Sequence, residues 1–362
     1  MQRIYFDHNA TSILDQRVKE SMIALMGMPL NPSSVHQEGN KARQILEEGR
    51  KVIKTKLSLL KSHKLIFTSS CTEANNLVLR NFPSFNKICS TFEHASVKKL
   101  IKSQVIPITS DGIIDLNALE VLLREDQNIL LSVMYANNEI GSVQPIQEIA
   151  MLIRRLGGLF HCDITQALGR VPVSLENVDL ITLSSHKFGG PTGAGALLIR
   201  EGLEIEPVTL GGGQEFGMRS GTHNVIAVCG MATAFASIDN ITASFSKLSL
   251  LRDSLEDDLL SIDQKIMIAA KNSPRLPNTS SIYMPNVDAE TQLIFFDMNG
   301  FAVSAGSACS SGKGNTPSTH LAMGIKKSVA RNFIRVSLGP DCNVLQMSKF
   351  RNCWHDLYRR NN

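Results

Sequence analysis

The sequence predicts an α/β protein, with a large domain built on a mostly parallel sheet and a smaller C-terminal α/β domain. Three observations carry that prediction. Short apolar runs alternate with helical spacings between residues 65 and 183, polar residues close those runs, and the texture changes after residue 240.

In chain order, residues 65–68 (Leu-Ile-Phe-Thr) read as a strand, and a helix opens near Thr72 and carries Leu77, Val78 and Leu79. A second strand-like run covers residues 87–91. Residues 129–135 are continuously apolar, as expected of a strand covered on both faces. Residues 146–156 have helical spacing, Gly157-Gly158 ends that helix, and residues 159–163 start another strand. Val178, Leu180, Ile181 and Leu183 mark the next strand. Strand, helix and strand in this order build right-handed βαβ units.

Beyond residue 240, residues 245–260 predict one long amphipathic helix and residues 286–300 a helix between strands. Residues 304–316 are small, polar and glycine-rich, and predict a mobile loop. The expected division is a large domain over 13–245 and a small domain formed by 1–12 and 246–362.

Composition excludes several classes. The 362 residues are 43% hydrophobic and carry a formal net charge of +4, enough chain for a sizeable core and too little charge to imply nucleic acid. No stretch is long and apolar enough to span a bilayer, and the first residues show neither a secretory nor a transit signal. The cysteines (71, 89, 162, 229, 309, 342 and 353) are odd in number and lack a C-x-x-C pair. A reduced, cytoplasmic protein with no disulfide framework and no resident metal is expected.

The candidate chemistry lies at the strand ends, where open α/β sheets place ligands. Lys187 follows a strand in Ser184-Ser185-His186-Lys187, where an amine sits beside hydroxyls and a histidine; it reads as a Schiff-base lysine or as a surface lysine at a turn. Asp163 ends an apolar strand, as a buried acid awaiting a cation or as a helix cap ahead of Gln166. Ser69-Ser70-Cys71-Thr72-Glu73 suits either a phosphate at a helix N-terminus or an ordinary capping box. His94 follows the run 87–91, and Asn137-Asn138-Glu139-Ile140-Gly141 follows the run 129–135. An amine, an acid for a ring nitrogen, a planar ring and an anion cradle are together what pyridoxal phosphate requires.

On these residues the chain resembles the cysteine desulfurases of the NifS/IscS type, class V members of the fold-type I pyridoxal-phosphate-dependent transferases. The resemblance runs from Asp7-His8-Asn9-Ala10-Thr11 through Asn31-Pro32-Ser33-Ser34, Cys71-Thr72-Glu73-Ala74-Asn75-Asn76 and Glu93-His94 to Asn137-Asn138-Glu139-Ile140-Gly141. It continues through Asp163-Ile164-Thr165-Gln166, Ser185-His186-Lys187, Gly211-Gly212-Gly213-Gln214-Glu215, Arg219-Ser220-Gly221-Thr222 and Ser307-Ala308-Cys309-Ser310 to Ile334-Arg335-Val336-Ser337-Leu338-Gly339.

The resemblance implies a role for each matching residue. Lys187 would be the Schiff-base lysine, Asp163 the partner of the pyridine nitrogen, and His94 a stacking residue that shuttles protons. Asn137 and Gln166 would contact the ring's phenolic oxygen, with Asn137 also at the substrate. Cys71 through its backbone, Thr72, Ser184 and His186 would hold the phosphate, with Ser185 in the same turn. Thr222 would reach the neighbouring subunit's phosphate in a homodimer, and Arg335 would clamp the substrate carboxylate. Cys309 would take sulfur from L-cysteine as a persulfide, leaving alanine, and pass it to an acceptor such as an iron–sulfur scaffold or to tRNA thiolation. No direct contact with nucleic acid or membrane is implied, and Cys309 would be a transient ligand of an iron–sulfur cluster.

The other readings are a selenocysteine lyase or related class V lyase, and a non-catalytic scaffold of the same fold. Ser70 stands where the resemblance implies glycine, Phe216 where a basic residue is common, and the chain ends soon after Leu338-Gly339, where many relatives carry a longer scaffold-docking tail. The stretch 325–362 is basic, and reads as a solvated helix surface or as a face for an acidic acceptor.

Overall fold

The computed structural model describes residues 3–101, 105–125, 128–306 and 318–361. In chain order its strands are β1 (Ile4–Tyr5), β2 (His63–Thr68), β3 (Asn86–Ser90), β4 (Val105–Ile106), β5 (Ile129–Met134) and β6 (Leu159–Asp163). Then follow β7 (Leu180–Ser184), β8 (Gly195–Arg200), β9 (Met267–Ile268), β10 (Thr279–Tyr283), β11 (Phe301–Ala302) and β12 (Phe333–Ser337). A central sheet has the order β2-β8-β7-β6-β5-β3-β4. From β7 to β4 the strands are parallel, and β8 runs antiparallel to both of its neighbours.

Apolar runs form this sheet because both of its faces are covered. Leu65, Phe67, Ile88, Leu131, Phe160, Ile181 and Leu198 face one core, while Ile66, Cys89, Leu130, Leu159, Leu180 and Leu197 face another. Neighbours in sequence thus point to opposite faces, and each needs an apolar side chain. Helix Gln37–Lys56 packs on helix Val225–Ala236 over the first face, and helix Cys71–Arg80 lies on the second. The polar residues Thr68, Asp163 and Ser184 occupy the last positions of β2, β6 and β7.

A further core joins the N-terminal strand to the C-terminal part of the chain. Ile4 and Phe6 pack with Phe245, Leu255, Phe296, Phe301, Phe350 and Trp354. The rings of Phe6, Phe296 and Phe301 each lie 5.1–5.7 Å from that of Phe350. The associated strands form a three-stranded antiparallel sheet, β12-β10-β9, and the parallel pair β1-β11.

The long helix expected over 245–260 is two helices, Ile238–Ser246 and Leu248–Ile262. Ser244, Ser246 and Ser249 turn their hydroxyls back onto the carbonyls of Asn240, Ala243 and Ser246, a competition with the helical ladder that the apolar spacing does not show. The helix expected within 286–300 spans Ala289–Met298. The loop expected over 304–316 lies outside the described residues from 307 onward, and Cys309 with it.

One close approach positions the site. A Cβ built on Gly195, the first residue of β8, would stand 2.6 Å from the Ser70 carbonyl carbon and 2.9 Å from the Leu183 oxygen, all main chain. Gly195→Ala is therefore expected to destabilise the protein by about 1–3 kcal/mol, read as a lowered denaturant midpoint at unchanged slope.

Candidate active site

A cavity of about 300 Å³ opens at the carboxyl ends of the central strands. Ser70, Cys71 and Thr72 reach it after β2, His94 after β3, and Met134, Ala136 and Asn138 at the end of β5 and just beyond. Asp163, Thr165 and Gln166 enter from β6, Ser184, His186 and Lys187 from β7, and Arg335 from β12. Asn9 and Ala10 close it from the N-terminal loop. Of the residues singled out in the sequence, the structure brings Cys71, Thr72, His94, Asp163, Gln166, Ser184, His186, Lys187 and Arg335 to one cavity.

The anion end is the start of helix Cys71–Arg80. The Ser70 hydroxyl accepts the Glu73 N–H at 3.2 Å and its carbonyl accepts that of Ala74 at 3.1 Å. The amides of Cys71 and Thr72 occupy the first two helical positions, where no carbonyl of the helix can reach them. Ser70 has extended backbone (φ −171°), so a side chain costs nothing there and supplies the cap. Glu73 braces the turn through the Ser69 N–H and hydroxyl at 2.7 and 2.6 Å. Burial pushes the Glu73 carboxyl up, but Arg219 and the Ser69 donors outweigh it and hold it below the usual carboxylate range.

Asp163 is the buried acid. Its Oδ1 accepts the Thr165 N–H at 3.0 Å, and its Oδ2 accepts from Asn75 Nδ2 at 3.1 Å and from Cys71 Sγ at 3.2 Å. These donors, a main-chain N–H, an amide and a thiol, are all neutral. A carboxylate only 7% exposed, held by neutral donors and facing a cavity, fits a protonated ring nitrogen there.

His94 and Lys187 stand across the same space. His94 Nδ1 accepts the Ser96 N–H at 3.2 Å. Burial above all, with Lys187 and Lys98 nearby, holds the imidazole below its usual range against the pull of Asp163. A neutral, half-buried imidazole can lie flat against another ring. Lys187 Nζ donates to the carbonyls of Asn9 and Ala10 at 2.7 and 2.6 Å. His186 is pushed down to about 4 by burial, then by Lys187 and Arg170, and its Nδ1 lies 3.1 Å from Thr11 Oγ1. Gln166 Nε2 donates to the Asn9 carbonyl at 3.0 Å, and its Oε1 accepts from Arg170 at 2.7 Å.

Arg335 is 2% exposed and donates to Asp7 Oδ1 at 2.6 Å and to the Asn138 and Gly306 carbonyls at 3.0 and 3.2 Å. Its Nε is buried with no partner among the described residues. Arg335 lines the cavity, where a guanidinium can take an incoming carboxylate.

Three candidate residues stand elsewhere. Asn137 is buried, with its Oδ1 accepting the N–H groups of Glu139 and Ile140 and its Nδ2 turned to the Phe92 carbonyl, and the neighbouring Asn138 lines the cavity. Ser185 is fully buried and donates its hydroxyl to the Pro191 carbonyl. Thr222 is exposed and does not line the cavity of its own chain. Phe216 and Glu215 both have left-handed backbone, and the Phe216 ring lies over Arg50 at 5.0 Å. Sequence reasoning gave Asn9 and Ala10 no role. Their motif Asp7-His8-Asn9-Ala10-Thr11 was the available signal, but backbone carbonyls leave no mark on residue type.

The family model for aminotransferase class V matches residues 4–349. A curated relative named cysteine desulfurase IscS 1, from Archaeoglobus fulgidus, is 37% identical over 357 residues, covering 92% of this chain and 91% of its own. A solved NifS-like protein from Rickettsia africae superposes with a TM-score of 0.93 at 37% identity, over 99% of this chain and all of its own. A structure described as SspA in complex with cysteine gives a TM-score of 0.79 at 26% identity, over 93% and 99%.

Proposed function

The chain belongs to the class V aminotransferase family, and from that membership we propose that it is a pyridoxal-phosphate-dependent cysteine desulfurase. It takes sulfur from L-cysteine as a persulfide on Cys309 and leaves L-alanine. The observation that carries this reading is the buried Asp163 carboxylate, held by neutral donors and lining one cavity of cofactor size with His94 and Lys187.

The residues present fit the cofactor. Pyridoxal phosphate, when bound, supplies an electron-withdrawing ring that stabilises negative charge at the substrate's Cα. Lys187 is its attachment point and afterwards the amine that takes the Cα proton. Asp163 would hold a proton on the ring nitrogen, and His94 would cover one ring face. Cys71 and Thr72 offer main-chain N–H groups to the phosphate, joined by Ser184 and His186. Arg335, which lines the cavity, would orient the substrate carboxylate.

Sulfur transfer balances at Cys309. Its thiolate attacks the sulfur of cysteine and forms the S–S bond. The Cβ–S bond breaks with its electron pair left on carbon, and that carbon takes a proton to give alanine. The persulfide then goes to a thiol acceptor, which we take to be an iron–sulfur scaffold protein.

The assembly we propose is a homodimer in which Thr222, exposed here, reaches the neighbouring site. We divide each subunit into 13–245 and the union of 1–12 with 246–362; the core that joins Ile4 and Phe6 to Phe350 and Trp354 supports grouping the two ends of the chain, and it takes in Ile241 and Phe245 from across that boundary. We place the reaction in the cytoplasm, where thiols stay reduced. The described cysteines are all unpaired, and no single described helix is long and apolar enough to cross a membrane.

The purified protein, reconstituted with pyridoxal phosphate and given L-cysteine and dithiothreitol, is expected to release alanine and sulfide in equal amounts. Pyruvate and ammonia in place of alanine would overturn the reading.

A further inference from the structure

Behind the cavity wall runs a chain of buried polar side chains that none of these roles uses. Ser132 Oγ lies 2.8 Å from His161 Nδ1, and His161 Nε2 lies 3.0 Å from Thr182 Oγ1. Thr182 Oγ1 is 2.6 Å from Asn75 Oδ1, and Asn75 Nδ2 reaches Asp163 Oδ2 at 3.1 Å and Ser96 Oγ at 2.9 Å. Ser96 Oγ ends the chain 2.7 Å from His94 Nδ1. Ser132, His161, Thr182 and Asn75 have no measurable exposure. Three polar groups sealed in an apolar sheet and a fourth on the helix that covers it are costly unless each bond is made in the right sense.

One fixed point sets the direction of every bond. A carboxylate only accepts, so the Asn75 edge facing Asp163 is its NH2 group and the opposite edge is its carbonyl. That carbonyl only accepts, so Thr182 donates to it and in turn accepts from His161 Nε2–H. His161 Nδ1 is then the acceptor of the Ser132 hydroxyl, and burial, which pushes this ring down to about 4, keeps it neutral.

On the other branch the second Asn75 N–H occupies Ser96 Oγ, which leaves the Ser96 hydroxyl to donate to His94 Nδ1. The Ser96 backbone N–H, which can only donate, meets the same nitrogen at 3.2 Å. Two donors on Nδ1 place the proton of the neutral ring on Nε2, the edge turned away from Ser96.

We infer that Asn75 is a positioning residue that ties the charge on Asp163 to the tautomer of His94, so that His94 meets the cavity as a neutral ring and a proton donor through Nε2. The ionisable groups near His94 are Asp163, which favours its protonation, and Lys187 and Lys98, which oppose it together with burial. A second proton on Nδ1 would have to displace both Ser96 donors. The inference rests on the reading of this cavity as the pyridoxal-phosphate site, but the tautomer itself is measured without turnover.

Nitrogen-15 spectra of the full-length, histidine-labelled, pyridoxal-phosphate-loaded protein test it, with the His94 signals assigned by their loss in His94→Gln. The wild type is expected to show a bare Nδ1 and a protonated Nε2. Asn75→Leu frees Ser96 Oγ to accept from a protonated Nδ1, and should raise the midpoint of His94 protonation by about one pH unit. Ser96→Ala removes the hydroxyl that joins Asn75 to His94 and leaves the Asn75 bond to Asp163 in place, so it should shift the midpoint in the same direction and carries the test where Asn75→Leu does not fold. Thr182→Val removes the donor to the Asn75 carbonyl and the link to His161 but leaves both Asn75 N–H bonds, and should leave His94 as in the wild type. A wild-type proton on Nδ1, or an unchanged midpoint in every folded variant, overturns the inference. Failure of the wild type to retain pyridoxal phosphate overturns the proposed function instead, and the tautomer can still be read in the unloaded protein.

Discussion

Lys187→Ala is expected to lower sulfide release from L-cysteine by about 10²- to 10⁴-fold, the usual worth of a positioned acid–base group, and to abolish the lysine-linked absorbance of the bound cofactor. The loss of rate would be chemical, although the variant also gives up the Nζ bonds to the Asn9 and Ala10 carbonyls. The Lys187 carbonyl is held by Ser12 Oγ at 2.7 Å and Arg170 at 3.1 Å, and alanine keeps both bonds. The following residue packs its ring against Phe235, 5.1 Å between centroids, whatever stands at 187. An unchanged thermal midpoint with lost absorbance would separate the two effects. Lys187→Arg should fail equally, because a guanidinium remains charged and cannot take the Cα proton. Normal turnover in either variant would remove Lys187 from the mechanism.

Cys309→Ala should show the complementary pattern, with the cofactor's colour kept and sulfide release reduced at least ~10³-fold, as when a covalent nucleophile is deleted. No other described cysteine is placed to replace it. Cys71 alone lines the cavity, and burial, followed by the charge of Asp163, pushes its thiol well above its ordinary value. Its proton is engaged toward Asp163 Oδ2 at 3.2 Å, so it offers no thiolate. Cys342 and Cys353 lie outside the cavity, pushed up by burial to about 12 and about 11. Quantifying alanine and sulfide from Cys309→Ala and Cys71→Ala side by side settles the matter. Full activity in the first, or its loss only in the second, would move the persulfide to a different thiol.

The strands that carry the site were legible because a strand covered on both faces must be apolar along its length and can afford a polar residue only where it leaves the sheet. Asp163 and Ser184 stood out for that reason, as did His94 and Lys187 just beyond their strands. The adjacent pair Asn137 and Asn138 was not resolvable in the same way. Both are asparagine after the same strand, and the turn decides which one faces inward, since Asn137 spends its amide oxygen on the N–H groups of Glu139 and Ile140. The break at Lys247 escaped notice because apolar spacing runs on across it, with Phe245 and Leu248 both buried, and periodicity registers only that spacing.

By itself the sequence determined the class of fold, the family and the kinds of group available: an amine, a buried acid, an imidazole, a helix start and a guanidinium, in a fixed order along the chain. Those are properties of residue type and of local spacing. The tertiary structure alone decided which atoms of those groups are spent and which are left for a ligand. Lys187 meets the carbonyls of Asn9 and Ala10 from 178 and 177 residues away, Arg335 meets Asp7 across 328, and Asn75 joins Asp163 to Ser96 from a neighbouring helix. A hydrogen bond depends on direction and distance between atoms, and over such separations both are set by packing.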